Sequence, residues 1–201
     1  HGEPRSLLGY HEFARKGEHP ACIVRVLEPD AEHVEVLWED GAAPSELKRI
    51  HDAGLFDGRV PYRRPLAPYK LRIRYRSGTE LTKHDAYYFA PQLSDFDLYL
   101  FGEGNHYSIY YKLGAHPVVL DDLAGTRFAV WAPNAERVSI VGPFNLWDGR
   151  KHAMQIRGSS GIWELFIPGV GPGTAYKYEI RTRSGRTVLK ADPYGFAMQL
   201  R

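Results

Sequence analysis

Cysteine is nearly absent from this 201-residue chain. Cys22 stands alone, which excludes an intramolecular disulfide framework and a multi-cysteine zinc site and fits a reducing compartment, the cytoplasm by default. Long apolar runs are missing too. No stretch approaches the roughly 20 residues that span a bilayer, and His1-Gly2-Glu3-Pro4-Arg5 carries no signal-peptide core, so a soluble protein without membrane attachment is expected. Because His1 stands where a start methionine is usual, the expectation is a piece of a longer chain. Charge of one sign is also scarce. A formal net charge of +2 gives no concentrated basic field of the kind that nucleic acid requires. The nine histidines show neither His-x3-His spacing nor a Cys/His cluster, so no metal site is expected. Gly169-Val170-Gly171-Pro172-Gly173 lacks the Lys-Ser/Thr and helix that follow a phosphate loop, and reads as a turn; no cofactor is expected.

What is present is period-two alternation. In Tyr69-Lys70-Leu71-Arg72-Ile73-Arg74-Tyr75-Arg76 apolar and basic residues take opposite faces of one half-buried strand. Residues 176–181 read the same way, with Tyr176, Tyr178 and Ile180 inward and Lys177, Glu179 and Arg181 outward. Further strands are predicted at 22–27, 34–38, 127–131, 137–141 and 162–167. Turn signals such as Glu28-Pro29-Asp30, Ala132-Pro133-Asn134, Ser77-Gly78 and Ser184-Gly185 separate them. Short strands with frequent turns indicate an all-β fold of antiparallel modules.

The chain also repeats itself. Leu8-Gly9-Tyr10-His11 recurs as Leu113-Gly114-Ala115-His116, and Pro29-Asp30-Ala31-Glu32-His33-Val34 as Pro133-Asn134-Ala135-Glu136-Arg137-Val138. Ala67-Pro68-Tyr69-Lys70 is echoed by Thr174-Ala175-Tyr176-Lys177, Arg76-Ser77-Gly78 by Arg183-Ser184-Gly185, and Lys83-His84-Asp85 by Lys190-Ala191-Asp192. All five matches keep their order at a displacement of 104 to 107 residues. Two copies of one immunoglobulin-like β-sandwich, sharing topology, are therefore predicted at 1–91 and 113–201. The connector, 92–112, contains Ser94-Asp95-Phe96-Asp97-Leu98-Tyr99-Leu100-Phe101, a capping residue before a mixed apolar stretch, which predicts a short helix or turn. Its aromatic content predicts packing instead of a free linker.

These residues carry a resemblance. The connector through Gly102-Glu103-Gly104, with Tyr110 and Leu113-Gly114-Ala115-His116, resembles the opening of the glucan-binding module of bacterial glycogen branching enzymes. Phe128-Ala129-Val130-Trp131-Ala132-Pro133-Asn134-Ala135 and Gly142-Pro143-Phe144-Asn145-Leu146-Trp147-Asp148-Gly149 are similar to its following strand and tryptophan loop. Ser159-Ser160-Gly161-Ile162-Trp163-Glu164, Tyr176-Lys177-Tyr178-Glu179-Ile180 and Lys190-Ala191-Asp192-Pro193-Tyr194 complete the pattern, and the first copy is similar to the extra amino-terminal module of the longer branching enzymes. Pro143 departs from the aspartate usual there. The second tryptophan that glycogen-sensing relatives place near Arg186-Thr187 is also absent, which implies weak binding by this piece alone. The resemblance implies a parent enzyme that cleaves an α-1,4 bond, holds the released chain on an aspartate and transfers it to a 6-hydroxyl, by retaining carboxylate-pair chemistry. Those carboxylates belong to a (β/α)8 barrel of about 250 residues. No such β/α alternation occurs here, so no catalytic residue is expected, and the missing barrel and α-1,4-glucan are the implied partners.

Candidate glucan contacts are Trp147, Lys177, Asn145, Asp148 and Trp163. Trp147, in a Gly-containing loop before Asp148-Gly149, can offer a flat apolar face to a pyranose ring, or close a core at a strand end. Lys177 can donate to sugar hydroxyls beside it or stand as a solvated strand lysine. Asn145 and Asp148 can orient hydroxyls or satisfy their own backbone. Trp163 can add a second surface, and Trp131 reads as core. His11 and His116, equivalent in the repeat, point to a shared structural hydrogen bond. Three function classes follow: an accessory region of a glucan-branching enzyme, a stand-alone or regulatory glycogen-binding module, or an interaction or nucleic-acid-binding protein using the basic row Lys70, Arg72, Arg74 and Arg76.

Overall fold

The computed structural model describes residues 2–13 and 21–196. The chain divides into two compact units, Arg5–Phe89 and Ala90–Arg201 together with His1–Pro4. No helix among the described residues is long and apolar enough to cross a membrane.

The first unit holds β1 (Gly9–Phe13), β2 (Ala21–Leu27), β3 (Ala31–Leu37), β4 (Ser45–His51), β5 (Leu55–Val60), β6 (Lys70–Tyr75) and β7 (Glu80–His84) in one antiparallel sheet ordered β1-β2-β5-β4-β3-β6-β7. Alternation decides the buried faces: Leu71 and Ile73 of β6 are buried, as are Val24 and Val26 of β2. These side chains share one core with Val34, Val36, Leu47 and Phe56, so the sheet folds over at β4, which pairs with β5 on one side and β3 on the other. The polar face of β6 is matched across the strand. Arg72 stands opposite Glu35 and bonds its carboxylate, and Arg74 lies 3.8 Å from Glu32. Arg72 and Arg74 of the basic row are thus part of a cross-strand charge ladder, whose exposed pairs contribute little stability, up to about 1 kcal/mol each.

The second unit holds α1 (Asp95–Gly102), β8 (Gly114–Leu120), β9 (Leu123–Trp131), β10 (Ala135–Val141), β11 (Gln155–Ile156), β12 (Ile162–Pro168), β13 (Lys177–Thr182) and β14 (Thr187–Lys190). Its strands form a four-stranded sheet, β11-β12-β9-β8, and a three-stranded sheet, β10-β13-β14. Substituting β8 to β14 for β1 to β7 reproduces the order of the first unit, apart from one seam. Where β3 and β4 pair through three register positions, β10 meets only the segment before β11, at an isolated bridge between Ser139 and Ala153 among the described residues.

Local hardware repeats as well. His11 Nε2 lies 3.1 Å from the Leu7 and Leu8 carbonyls, and His116 Nε2 lies 2.8 Å from that of Leu113. Tyr69 donates to Asp85 at 2.6 Å and Tyr176 to Asp192 at 2.5 Å. Each aspartate also accepts the N–H of a residue two positions on, Tyr87 at 2.9 Å and Tyr194 at 2.8 Å. Gly9 (φ 91°) and Gly114 (φ 97°) share a left-handed conformation, and a Cβ on either would lie 3.0 Å from Tyr87 O or Tyr194 Cβ.

The connector packs within the second unit. Ser94 caps α1 by accepting the Asp97 N–H at 3.1 Å, while Asp97 accepts the Ser94 N–H in return, a capping box. Leu93, Leu98, Phe101 and Ile109 then cover Leu113, Ala129 and Ile162. Register explains why this cover is needed. Phe128 and Val130 of β9 stand opposite Leu165 and Trp163 of β12, whereas Ala129 and Trp131 stand opposite Glu164 and Ile162. The first set faces the three-stranded sheet, where Phe128 meets Tyr176 at a centroid distance of 4.9 Å, and the second faces the connector.

The Asp97 carboxylate is only 12% exposed and also takes His106 Nε2 at 3.0 Å and Lys112 Nζ at 3.1 Å. Burial pushes its carboxyl up, but bonds from Ser94, His106 and Lys112 outweigh burial and hold it well below the usual carboxylate range. A lowered folded-state value means stability that is complete above the unfolded value of about 3.9 and is lost as pH falls through the folded one. Asp97→Asn is expected to cost the second unit about 1.5–3 kcal/mol at pH 7. In urea titrations followed by this unit's amide signals, that gap should narrow towards pH 2. A gap independent of pH would contradict the assignment.

Candidate functional site

The segment leaving β10 turns through a single 3-10 turn, Pro143–Asn145, started by the fixed φ of Pro143. Asn145 is 3% exposed and closes the turn from inside. Its Oδ1 accepts the Gly142 N–H at 3.0 Å, and its Nδ2 donates to Ile140 O and His152 Nδ1, both at 2.9 Å. With its amide so occupied, Asn145 braces the loop and does not orient a sugar hydroxyl. Leu146 (φ 57°) and Trp147 (φ 61°) follow in the left-handed region, a conformation that costs a non-glycine residue on the order of 1 kcal/mol or more. This strained pair turns the Trp147 indole outward, 45% exposed, while the Trp147 backbone N–H returns to Gly142 O at 2.9 Å.

Lys177 opens β13 directly opposite Val141, the last residue of β10. Trp147 therefore lies one backbone hydrogen bond from the residue that follows the register partner of Lys177. The lysine is exposed, and no ion pair holds it among the described residues. Asp148 is engaged elsewhere. Its Oδ1 accepts Nε of Arg150 at 2.9 Å and its Oδ2 accepts Nη2 at 2.7 Å, and Oδ1 also takes the Arg150 N–H at 2.9 Å. Burial raises the Asp148 carboxyl, yet these Arg150 contacts outweigh it and keep the carboxyl below its ordinary range. Gly149 allows the turn to close, because a Cβ there would lie 2.2 Å from the Glu179 carboxylate, itself paired with Arg137 at 2.7 Å.

Two tryptophans exchange the roles expected of them. Trp163 is 1% exposed, its indole N–H bound to Ala132 O at 3.0 Å, so it offers no surface to a ligand. Trp131, expected in the core, is 54% exposed and touches Phe101 edge-on at 5.9 Å. The cause is the β9 and β12 register: Trp163 shares the inter-sheet face with Val130, and Trp131 falls on the opposite face, which the connector covers only in part. Of the sequence candidates, Trp147 and Lys177 share one end of the β10 and β13 sheet, Asn145 and Asp148 support that loop, and Trp163 is core. Sequence reasoning passed over Glu164, a 1% exposed carboxylate that takes the Leu93 N–H at 3.0 Å and Arg157 Nη1 at 2.9 Å. Its only signal was a charge inside the otherwise apolar Ile162-Trp163-Glu164-Leu165-Phe166-Ile167.

Residues 1–87 match the family described as alpha-1,4-glucan branching enzyme GlgB, N-terminal domain, and residues 112–195 match carbohydrate-binding module 48 (isoamylase N-terminal domain). The chain is 52% identical over 200 residues to the 1,4-alpha-glucan branching enzyme GlgB of Rubrobacter xylanophilus, covering 98% of this chain and 26% of that protein. It is 46% identical over 202 residues to the corresponding enzyme of Methylococcus capsulatus, covering 100% and 26%. The chain thus spans about a quarter of the length of the curated relatives it matches. The crystal structure of pullulanase from Anoxybacillus sp. LM18-11 is 16% identical over 92% of this chain and 26% of its own, with a TM-score of 0.33, too distant to bear on fold or function. Matched domain by domain and along nearly its whole length, the chain belongs to the amino-terminal region of the 1,4-alpha-glucan branching enzyme family, an N-terminal domain followed by a carbohydrate-binding module 48.

Proposed function

We propose that the second unit holds an α-1,4-glucan at the Trp147 loop and presents it to a catalytic barrel of the same polypeptide, which makes α-1,6 branches during glycogen synthesis in the cytoplasm. This piece is the accessory part and carries no catalytic carboxylate pair of its own. The observation that supports the reading most is the strained, outward-turned Trp147 on an internally braced loop near Lys177, which no ion pair holds among the described residues. Stacking a sugar on the indole removes apolar C–H surface from water, while the ammonium gives a hydroxyl the partner it loses with its water. Lacking a second tryptophan near Arg186, the site is expected to be weak, with a Kd of about 0.1–1 mM.

Trp147→Ala is expected to weaken maltoheptaose binding by about 1–2 kcal/mol, the scale of losing a well-packed aromatic contact. The loss appears in an NMR titration of the chain, with thermal melting as the control. A folded variant that binds like the parent would move the site elsewhere, and an unfolded one would make Trp147 a structural residue.

A further inference from the structure

A second aromatic surface lies away from the Trp147 loop. Between α1 and the end of β9 runs an open cleft of about 740 Å³, lined by Leu98, Tyr99, Phe101, Trp131, Arg157 and Ser159, among others. The volume falls within the range of about 300–1,000 Å³ typical of small-ligand sites. Trp131 and Tyr99 are both more than half exposed. Among the described residues the Trp131 indole N–H, the Tyr99 hydroxyl and the Ser159 hydroxyl have no protein partner. Arg157 lines the cleft, but its guanidinium is taken by Glu164 at 2.9 Å and faces the Asp95 carboxylate at 3.8 Å. The cleft therefore offers aromatic faces and neutral hydrogen-bonding groups, with the exposed Asp95 carboxylate beside them and no uncompensated cation to select phosphate.

Aromatic faces alternating with unsatisfied neutral donors suit a ligand with apolar C–H faces and a hydroxyl rim. We propose that the cleft between α1 and Trp131 is a second glucan-binding site, taking a short stretch of uncharged α-glucan with Trp131 as the stacking platform. Trp131 precedes the turn into β10 and Trp147 follows its end, so the two surfaces stand at opposite ends of a seven-residue strand, about 20 Å apart at 3.3 Å per residue. A sugar on Trp147 therefore cannot also fill the cleft with the same few units. The choice of ligand rests on the glucan reading of this module, whereas the location does not.

The chain reports on both sites through its four tryptophan indole N–H signals. Trp38 and Trp163 are buried and bonded, to Ser45 Oγ at 3.1 Å and Ala132 O at 3.0 Å, and serve as internal references. In a maltoheptaose titration of the 15N-labelled chain, the Trp131 and Trp147 signals should both move, with separate dissociation constants. In Trp147→Ala the Trp131 response should persist. In Tyr99→Ala, an exposed helix position that leaves the fold intact, the Trp131 response should weaken five- to twenty-fold while that of Trp147 is unchanged. A Trp147 response with Trp131 still at saturation overturns the second site alone, and two silent signals overturn the glucan reading with it. Trp131 movement on dilution without sugar identifies a second copy of the chain as the occupant, and equal movement with cellopentaose removes the preference for α-glucan; either result overturns the proposal.

Discussion

Replacing Glu164 with alanine is expected to destabilise the second unit by about 3–5 kcal/mol, the cost of breaking a buried ion pair by removing one partner. Glu164 sits on the β12 face that looks toward the connector, opposite Ala129. Its carboxylate takes the N–H groups of Gln92 and Leu93 and the Arg157 guanidinium. Alanine would leave two backbone donors and a half-buried cation without that acceptor, just where the connector joins the sandwich. Chemical denaturation followed through amide signals of the second unit should show the loss, with the helix α1 signals collapsing first. Glutamine keeps one carbonyl acceptor for the N–H pair but turns an amide donor toward Arg157, so Glu164→Gln should fall between alanine and the parent. A Glu164→Ala protein with unaltered midpoint would remove Glu164 as the anchor of the connector.

In the first unit, Asp85→Ala is expected to cost about 2–4 kcal/mol, because the Tyr69 hydroxyl and the Tyr87 N–H both lose this buried acceptor, at about 1–3 kcal/mol each. Part of that cost is offset by no longer burying a carboxyl. Asp85→Asn retains an acceptor and should cost less. Burial is the dominant influence on this group and raises its carboxyl, against the opposing effect of bonds from Tyr69 and Tyr87. With a folded-state value above the unfolded one of about 3.9, its contribution is present in acid and is lost as pH rises through the folded value. Asp85 and Asp97 therefore lend their units pH responses of opposite sign. Urea titrations resolved by unit, at pH 3 and pH 7, should show Asp85→Asn removing a component that falls with rising pH. If the variant keeps the parent's pH dependence, the buried Tyr69 and Asp85 pair is not its source.

The strands with one apolar and one charged face were legible because burial on a single side forces period two, and β6 and β13 carry it plainly. A cap at the start of α1 was equally open, since a Ser or Asp before an apolar stretch is a local signal, whereas the return bond from Asp97 was not read. Strands β1, β4, β5, β7, β8, β11 and β14 were missed because each shows little burial along its length, leaving no continuous face for alternation to mark. The exchange between Trp131 and Trp163 has another cause. In β12 six consecutive residues are buried, the inter-sheet face by the opposite sheet and the outer face by the connector. Periodicity divides such a strand into two faces but does not say which is covered fully and which in part. That information lies in the register between β9 and β12 and in the reach of α1, both of which are tertiary. The Trp147 loop was found from its turn residues, whereas the left-handed pair that turns the indole outward leaves no mark in composition.

The seam between the two sheets shows how duplication separates one topological position into two uses. In the first unit the chain passes from β3 to β4 in a short reversal and zips the two strands together at Val34, Glu35 and Val36. The second copy lengthens that passage into the segment carrying Pro143, Asn145 and Trp147, and one bridge at Ser139 is what remains of the zipper. With the ladder reduced, the segment is held instead by the buried Asn145 side chain, which bonds Gly142, Ile140 and His152. The same copy that displays an aromatic side chain has given up cross-sheet closure around it, while its sibling keeps the closure and displays nothing at that point. A tandem pair can thus close the same passage by a backbone ladder in one member and by a buried side chain in the other, on a single strand order.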